Sequence, residues 1–330
     1  MNERIITGKE TGVLKALRNN STVILLIFLI GIFTVLNHNF LSPFNLYNFL
    51  MQNEYRMVMI TGLAFIMLGG EIDLSVGYQI SLVGVLIGKL LSMGYPVPVC
   101  IISGILAGLA CGILNGILIA GLNFSSLIVT LITQKLFQGI SYLISGGMTY
   151  SDFPDLILKI SGIRGDAWPV SHLIVLLCIL TLEGIFTFTV LGKNILSMGY
   201  DEQVLRQNDI SVEKYKMNTY VIGSLFFAVA SLLLISRQGL AVSNMGMGLE
   251  IDGLFAVCIA GGGSLLLKNS ETKKRVPIKD LYLGVLVLAV IENGMQLSGA
   301  IQYLQYIISS AVVFCSLLLT IPISFYRKNR

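Results

Sequence analysis

The sequence predicts an all-α, polytopic membrane protein with about ten transmembrane helices in two inverted-topology repeats of five. Only 12% of its 330 residues are charged and 55% are hydrophobic, whereas soluble domains carry about 25% charged residues. Apolar runs of about 20 residues, the length that crosses a bilayer, recur along the chain. A short acidic string, EID, also occurs twice, each time where an apolar run begins.

Ten segments are predicted to cross the membrane. Their bounds are residues 22–37, 56–70, 74–93, 97–122, 124–145, 170–191, 218–236, 247–263, 281–298 and 303–326. The second is short for a bilayer about 30 Å thick. Either the amphipathic segment 45–54 extends it, or it is a broken helix. The whole chain, 1–330, is expected to be a single membrane domain with repeat halves at about 22–165 and 166–330.

The basic residues predict the orientation of the chain. Sixteen of the 22 Lys and Arg residues lie in four stretches, residues 4–18, 193–216, 268–279 and 327–330. An even number of spans places all four stretches on one face, and an odd number divides them. Because cytoplasmic loops retain Lys and Arg, that face is predicted to be cytoplasmic. Both termini, including the N-terminal segment 1–21, are then cytoplasmic.

The order of motifs predicts the repeat. The two EID strings end at Asp73 and Asp252, and Asn-Gly pairs follow at Asn115 and Asn293, 42 and 41 positions later. Equivalent spans are therefore five apart. Because five is odd, the second copy crosses the membrane in the opposite sense, which is a common plan among transporters.

Polar groups at the interface between such repeats are candidates for a transport path, because charged groups within a span usually face a cavity or a partner. The candidates are Asp73, Ser75, Asn115, Asp252 and Asn293. Each has a structural alternative. Asp73 and Ser75 precede an apolar helix in an N-cap arrangement, and Asp252 is expected to precede its helix similarly. The two asparagines, in turn, can bond to neighbouring helices.

No chemistry beyond transport is indicated. The sequence contains no G-x-x-x-x-G-K-[ST] string for nucleotide binding. Its five cysteines lie in apolar segments without metal-type spacing, and we interpret them as small buried residues. The chain is therefore expected to be a non-catalytic protein that binds no cofactor of its own, lies in lipid and has no nucleic-acid partner.

Four stretches carry a family resemblance. LGGEIDLSVG, ending at Gly77, resembles the signature of permease subunits of ribose/xylose/galactose-type ABC sugar importers. GMGLEIDGLFAVCIAGGGS at 246–264 resembles a later motif of that family, MGYDEQVLRQNDISVEK at 198–214 resembles its cytoplasmic loop, and IVTLITQKLFQGISYLISGG at 128–147 resembles a fourth segment. The likeness covers most of the chain in the family's order. The glycines of the two acidic motifs are expected to be structural, because small residues let helices approach closely: Gly69, Gly70, Gly77, Gly261 and Gly262.

The resemblance implies a permease in the bacterial inner membrane that imports a monosaccharide, either a pentose, a hexose or a sugar-like solute. It implies a second permease copy or a paralogue, an external solute-binding protein, and a cytoplasmic ATPase with two nucleotide-binding domains that holds ATP and Mg²⁺. Three alternatives stay open within related importers: nucleosides, an autoinducer, or branched amino acids. A different class of alternative is an ion-coupled secondary transporter that uses Asp73 and Asp252.

The loop 199–210 is the expected contact with the ATPase. DEQVLRQN at 201–208 predicts a short cytoplasmic helix whose acidic start suits the helix dipole. Its apolar pair is expected to dock into the ATPase, although an ordinary solvated helix is the alternative. The coupling candidates are Gly199, Asp201, Glu202, Val204, Leu205 and Arg206. This loop departs from the family pattern, since Val204 and Leu205 replace paired alanines, and LLLKNSETKKRVP at 265–277 replaces a glycine-rich turn.

Overall fold

The computed structural model describes residues 20–162, 170–261 and 277–320, and these residues form thirteen α-helices. The helices are α1 (Ser21–Leu36), α2 (Pro43–Leu68), α3 (Val76–Ser92), α4 (Val97–Gly116), α5 (Ser126–Ser145), α6 (Asp155–Leu158), α7 (Val170–Phe188), α8 (Val190–Tyr200), α9 (Glu202–Gln207), α10 (Val212–Gln238), α11 (Leu249–Ile259), α12 (Ile278–Leu297) and α13 (Gln302–Thr320). A π-helical turn, Ile117–Gly121, continues α4.

The predicted all-α membrane fold is confirmed. By length and composition, four helical stretches are able to cross a membrane, namely Val97–Gly121, Ser126–Ser145, Val170–Phe188 and Val212–Gln238, and shorter apolar helices lie beside them. The total of ten spans stays a prediction. Gly262 and the basic stretches 4–18, 268–275 and 327–330 lie outside the described residues.

Helix α2 shows why the predicted second span is short. It joins the amphipathic segment 45–54 to the span 56–70 in one helix of 26 residues, which is about 39 Å at about 1.5 Å per residue. Ser42 begins the helix by accepting a hydrogen bond from the backbone N–H of Asn45, and Pro43 occupies its first turn. The extension is therefore correct, and no break occurs. As a result, Arg56 lies at the middle of a helix rather than at its start.

Helices α2 and α10 form the centre of the molecule. They cross where Gly62 faces Gly223, because a Cβ atom at Gly62 would stand 2.6 Å from the carbonyl oxygen of Gly223. Farther along α10, Gly112 of α4 packs against Ser224 at a similarly close approach. Such small-residue crossings let apolar helices pack tightly where lipid supplies no hydrophobic driving force. The main apolar cluster includes buried residues of α2 and α10, together with buried residues of α11 and α12.

Six of the other helices pair in a repeating pattern. Helix α4 packs against α10 whereas α12 packs against α2, and α3 packs against α4 as α11 packs against α12. Helices α5 and α13 likewise pack against α3 and α11. Five-helix repeats in which α2 corresponds to α10 would produce this pattern, and their inverted sense in the membrane stays a prediction.

Two local expectations need correction. Helix α11 begins at Leu249, so Asp252 lies within its first turn and does not precede it. Only the first motif precedes its helix, since α3 begins directly after Ser75, and Ser75 makes no side-chain capping hydrogen bond to that helix. Cys315 is exposed, although the other four cysteines are buried as expected. An apolar segment in a membrane protein presents part of its surface to lipid or to a partner, so apolar surroundings in sequence do not ensure burial.

Candidate functional site

The two acidic motifs meet inside the protein. Gly77 of α3 packs against the backbone of Gly246, so that a Cβ atom at Gly77 would collide with the Gly246 carbonyl oxygen and with Oε2 of Glu250. The Gly246 backbone N–H donates a 2.9 Å hydrogen bond to Oγ of Ser81. Oε1 of Glu250 accepts a 2.9 Å hydrogen bond from Gln134 of α5. The beginnings of α3 and α11 are therefore joined at a contact that only glycine fits.

The first polar cluster surrounds Asp73. Its Oδ1 accepts hydrogen bonds from the backbone N–H of Ser75 at 2.7 Å and from the Ser75 hydroxyl at 2.6 Å. The Ser75 Oγ in turn accepts from Gln79 at 2.8 Å and from Asn115 of α4 at 2.9 Å. The four side chains are fully buried, with at most 1% of Asp73 exposed. Three of the five predicted path residues thus lie together, with the Ser75 hydroxyl at their centre.

Two acceptor atoms of the first cluster have no hydrogen-bond partner among the described residues. They are Oε1 of Gln79 and Oδ1 of Asn115, both buried. Most buried polar atoms in proteins are hydrogen-bonded, and each exception calls for an explanation. Gln79 was missed by the sequence analysis. The available signal was its position four residues after Ser75, which puts both on one face of α3.

The second polar cluster is an ion triad at Arg56. The guanidinium holds Glu292 of α12 at 2.5 and 3.1 Å and Asp252 of α11 at 3.3 Å. It also donates to Asn53 at 3.1 Å and lies 5.7 Å from the centre of the Tyr55 ring. The exposed fractions of the Arg56, Asp252 and Glu292 side chains are 16%, 34% and 28%, so this triad is more accessible than the first cluster.

Beside the triad, a small cavity opens between α2, α11 and α12. It is lined by the charged side chains of Arg56 and Asp252 and by the apolar side chains of Met59, Val285 and Leu288. Arg56 and Glu292 were not among the predicted site residues. Arg56 was predicted to be the first residue of a span. Glu292 directly precedes an Asn-Gly pair of which only Asn293 was predicted to be a path residue.

Asn293 does not join Asp252. Its amide and that of Asn45 donate to each other reciprocally at 2.9 and 3.0 Å, linking α12 to the start of α2. Asn45 also donates to the Phe40 carbonyl at 2.7 Å. The contacts of Asn293 therefore correspond to its structural alternative, a bond between helices, whereas Asn115 bonds within the first cluster.

The predicted coupling segment forms the short helix α9. Asp201 caps it by accepting a 2.8 Å hydrogen bond from the Gln203 backbone N–H. Val204 is 47% exposed, but Leu205 is 2% exposed and packs against Met198 and Val212. The expectation of a paired apolar docking face is therefore wrong for Leu205, because one turn of helix points neighbouring side chains in different directions. Val204 alone presents apolar surface.

The other coupling candidates are held at the base of α10. Arg206 pairs with Glu213 at 2.8 Å on the exposed surface. Gly199 packs so closely against Leu68 that a Cβ atom there would collide with the Leu68 carbonyl oxygen. Glu202 bonds to Lys216 at 2.7 Å. Arg206 and Glu202 therefore connect α9 with the start of α10, and Gly199 connects α8 with the end of α2.

Residues 45–317 match a protein family described as a branched-chain amino acid transport system / permease component. The chain belongs to this permease family. The permease is 27% identical over 322 residues to the ribose import permease protein of Escherichia coli. The aligned region covers 96% of this chain and 98% of that protein.

Two further relatives are similar over almost their full length. The L-arabinose ABC transporter permease protein of Azospirillum brasilense is 27% identical over 321 residues, or 97% of this permease and 91% of that protein. The galactose/methyl galactoside import permease protein of Haemophilus influenzae is 26% identical over 316 residues, or 90% and 92% of the two chains. No solved structure matches. These relatives confirm the resemblance that the sequence motifs indicated.

Metal chemistry has no candidate centre in the part of the permease that the structure describes. Within residues 20–162, 170–261 and 277–320, no group of three or more His, Cys, Asp or Glu side chains is placed to hold a metal ion. The polar groups of both clusters instead present hydrogen-bond donors, acceptors and paired charges.

Proposed function

We propose that the permease forms the translocation path of an ATP-driven importer for a monosaccharide, either a pentose, a hexose or a sugar-like solute. The observation that carries this proposal is similarity along nearly the whole chain to permease proteins named for ribose, L-arabinose and galactose. The contact between the two acidic motifs supports it, because transporters with repeats place their polar sites at repeat interfaces.

The two clusters offer the chemistry that a neutral polyhydroxy solute requires. We propose that Asp73, Ser75 and Asn115 line the passage when α3 separates from α4. Solute hydroxyls would then donate to the amide oxygens of Gln79 and Asn115, which have no hydrogen-bond partner among the described residues. Asp252 would contact the solute beside Arg56. Asn293 reaches the passage only when its pair with Asn45 opens.

The power source is proposed to be a partner protein. The chain has no nucleotide-binding string, so ATP and Mg²⁺ would be held by a cytoplasmic ATPase with two nucleotide-binding domains. Helix α9 would dock on that ATPase. Both termini of the permease would also lie on the cytoplasmic side of the membrane. A second copy or a paralogue would complete the channel, and an external binding protein would deliver the solute.

The test is uptake of labelled D-ribose, L-arabinose and D-galactose by cells with and without the gene for this permease. We expect deletion to abolish uptake of at least one of these sugars at low external concentration and re-expression to restore it. Unchanged uptake of all three sugars, together with loss of uptake of leucine or of a nucleoside, would overturn the sugar assignment.

The same cells distinguish ATP-driven transport from the ion-coupled alternative. Depleting ATP with arsenate while the membrane potential is maintained should stop uptake, and a brief uncoupler pulse at constant ATP should not. The opposite response, or uptake by the purified permease alone in proteoliposomes, would show an ion-driven transporter.

A further inference from the structure

Lys216 connects the first acidic motif to the short helix α9. Its Nζ lies 2.8 Å from Oε1 of Glu71 and 2.7 Å from Oε1 of Glu202. The exposed fractions of the Lys216 and Glu71 side chains are 11% and 9%, and that of Glu202 is 35%. One ammonium group thus holds two carboxylates that are 131 positions apart in the chain. This bridge belongs to neither polar cluster.

Two further contacts hold the turn that carries Glu71 against its neighbours. Gly70, with φ of +84°, packs so that its Cβ position lies 3.2 Å from the Cα atom of Gly199. One helical turn beyond Lys216, the Tyr220 hydroxyl donates a 3.0 Å hydrogen bond to the Ile72 carbonyl. The turn that carries Glu71 is therefore fixed by backbone contact on one side and by a buried hydrogen bond on the other.

The burial of the bridge determines how it responds to movement. Water screens a buried ion pair much less than an exposed one, and removing one partner leaves an uncompensated buried charge. Glu71 therefore follows Lys216 and Glu202 when they move, because separation would strand its carboxylate. Asp73, whose carboxylate anchors the first cluster, lies two residues farther along the same turn.

We propose that Lys216 is a positioning residue that transmits displacement of α9 to the turn carrying Glu71, so that movement of the ATPase opens the Asp73 cluster. This inference rests on the proposed function, since it presumes an ATPase docked at α9. In this proposal the Lys216 side chain provides the mechanical link, and the exposed face of α9 provides the contact with the ATPase.

The test measures sugar transported per ATP hydrolysed by the complete importer in proteoliposomes. Lys216→Met should lower this ratio at least about fivefold, the lower end of typical coupling between two sites, while hydrolysis stimulated by the binding protein persists. Lys216→Arg should keep most of the ratio because it retains a cation. The matched control is Lys214→Met, which removes an exposed lysine two residues away and should leave the ratio unchanged.

A second set of variants shows whether the bridge acts as a unit. Glu202→Gln removes only the partly exposed end and should lower the ratio in a fully assembled complex. Combining it with Lys216→Met should cost little more than Lys216→Met alone, because residues in one network are not additive. Assembly of the complete importer is measured by size-exclusion chromatography for every variant. If Lys216→Met does not assemble, the transport ratio of Glu202→Gln is used to test the role of the bridge.

The outcomes separate this inference from the proposed function. A wild-type ratio for Lys216→Met, or for Glu202→Gln where that variant decides, overturns the role of the bridge while sugar transport stands. An equal loss of transport and hydrolysis in assembled variants overturns it as well, because that result indicates a purely structural role. A wild-type complex that transports none of the sugars overturns the proposed function itself.

Discussion

Arg56 illustrates how single residues organise this membrane protein. Its guanidinium is surrounded by two carboxylates from different helices, an amide and an aromatic ring. Charged groups within a bilayer-spanning region are costly unless they pair with one another or face a cavity. Arg56 does both, since it pairs Asp252 with Glu292 and lines the cavity between three helices. The same residue therefore joins three helices, and in the proposed import path its guanidinium would lie beside the solute.

Arg56→Leu should destabilise the permease strongly. The substitution leaves Asp252 and Glu292 facing each other without a cation, and a partly buried polar group left without its partner costs about 1–3 kcal/mol. Thermal unfolding of the purified permease in detergent measures the loss. The control is Arg206→Leu, which breaks the exposed pair with Glu213 and should cost at most about 1 kcal/mol. Equal destabilisation by both variants would contradict a structural role for the triad.

At the scale of elements, helices α3 and α11 carry the two acidic motifs to a common contact. Neither motif binds the other through its aspartate. Instead, backbone approaches backbone at Gly77 and Gly246, and Glu250 connects this contact to α5. The aspartates point into separate clusters on either side. Because the two helices are in direct contact at Gly77 and Gly246, a movement of α3 or α11 would disturb the other helix directly.

Gly77→Ala should impair folding or transport through steric overlap. The new methyl group would collide with the Gly246 carbonyl oxygen and the Glu250 carboxylate, and overpacking of this kind costs about 1–3 kcal/mol. Gly139→Ala is the matched control, because Gly139 lies within α5 and has no atom within 4 Å of its Cβ position. We expect that control to retain wild-type Tm and uptake. Wild-type behaviour of Gly77→Ala would show that the motifs do not pack this closely.

In the proposed importer, two adjacent residues of α9 are expected to differ, one acting in docking and the other in folding. Val204→Glu should abolish uptake and substrate-stimulated ATP hydrolysis while membrane insertion and Tm stay normal, because Val204 is largely exposed. Leu205→Glu should lower Tm, because it places a charge among buried apolar side chains. Uptake assays and thermal unfolding of both variants test this division. Full uptake by Val204→Glu would refute docking through this face.

At the scale of the whole molecule, α10 is a largely buried helix that runs from the end of the protein near α9 to the opposite end. Glu202 of α9 contacts its first turns through Lys216, whereas α3 ends near Ala241, just beyond its last turn. The 27 residues of α10 correspond to about 40 Å, enough to cross a bilayer. Residues 93 and 208 therefore lie at opposite ends of this helix.

Thiol labelling tests the orientation. In a Cys315→Ser background, Met93→Cys should react with an impermeant maleimide in intact cells, because Met93 is 61% exposed at the end predicted to be external. Asn208→Cys should react only after permeabilisation, since its segment is predicted to be cytoplasmic. The background itself controls for the four buried cysteines. Labelling of Asn208→Cys in intact cells would invert the predicted topology.

Much of the architecture was predictable from sequence because the bilayer imposes it. Lipid cannot hydrogen-bond the backbone, so long apolar runs must become helices, and most predicted spans correspond to helices of the structure. The pairing of Asp73 with Ser75 was also accessible, because both lie in one turn. Helix starts were less certain: α2 begins 13 residues before its predicted span, and α11 begins before Asp252 rather than after it.

The sequence alone determined a polytopic helical membrane protein with two related acidic motifs. It also predicted a short helix in a loop expected to be cytoplasmic. Only the tertiary structure decided which polar groups meet. Arg56 and Glu292 are 236 positions apart, and the partners of Lys216 come from two distant segments. Such contacts depend on how each helix is rotated against its neighbours, and an evenly apolar helix carries little information about its rotation. Packing at glycines sets that rotation, and the buried ion pairs follow from it.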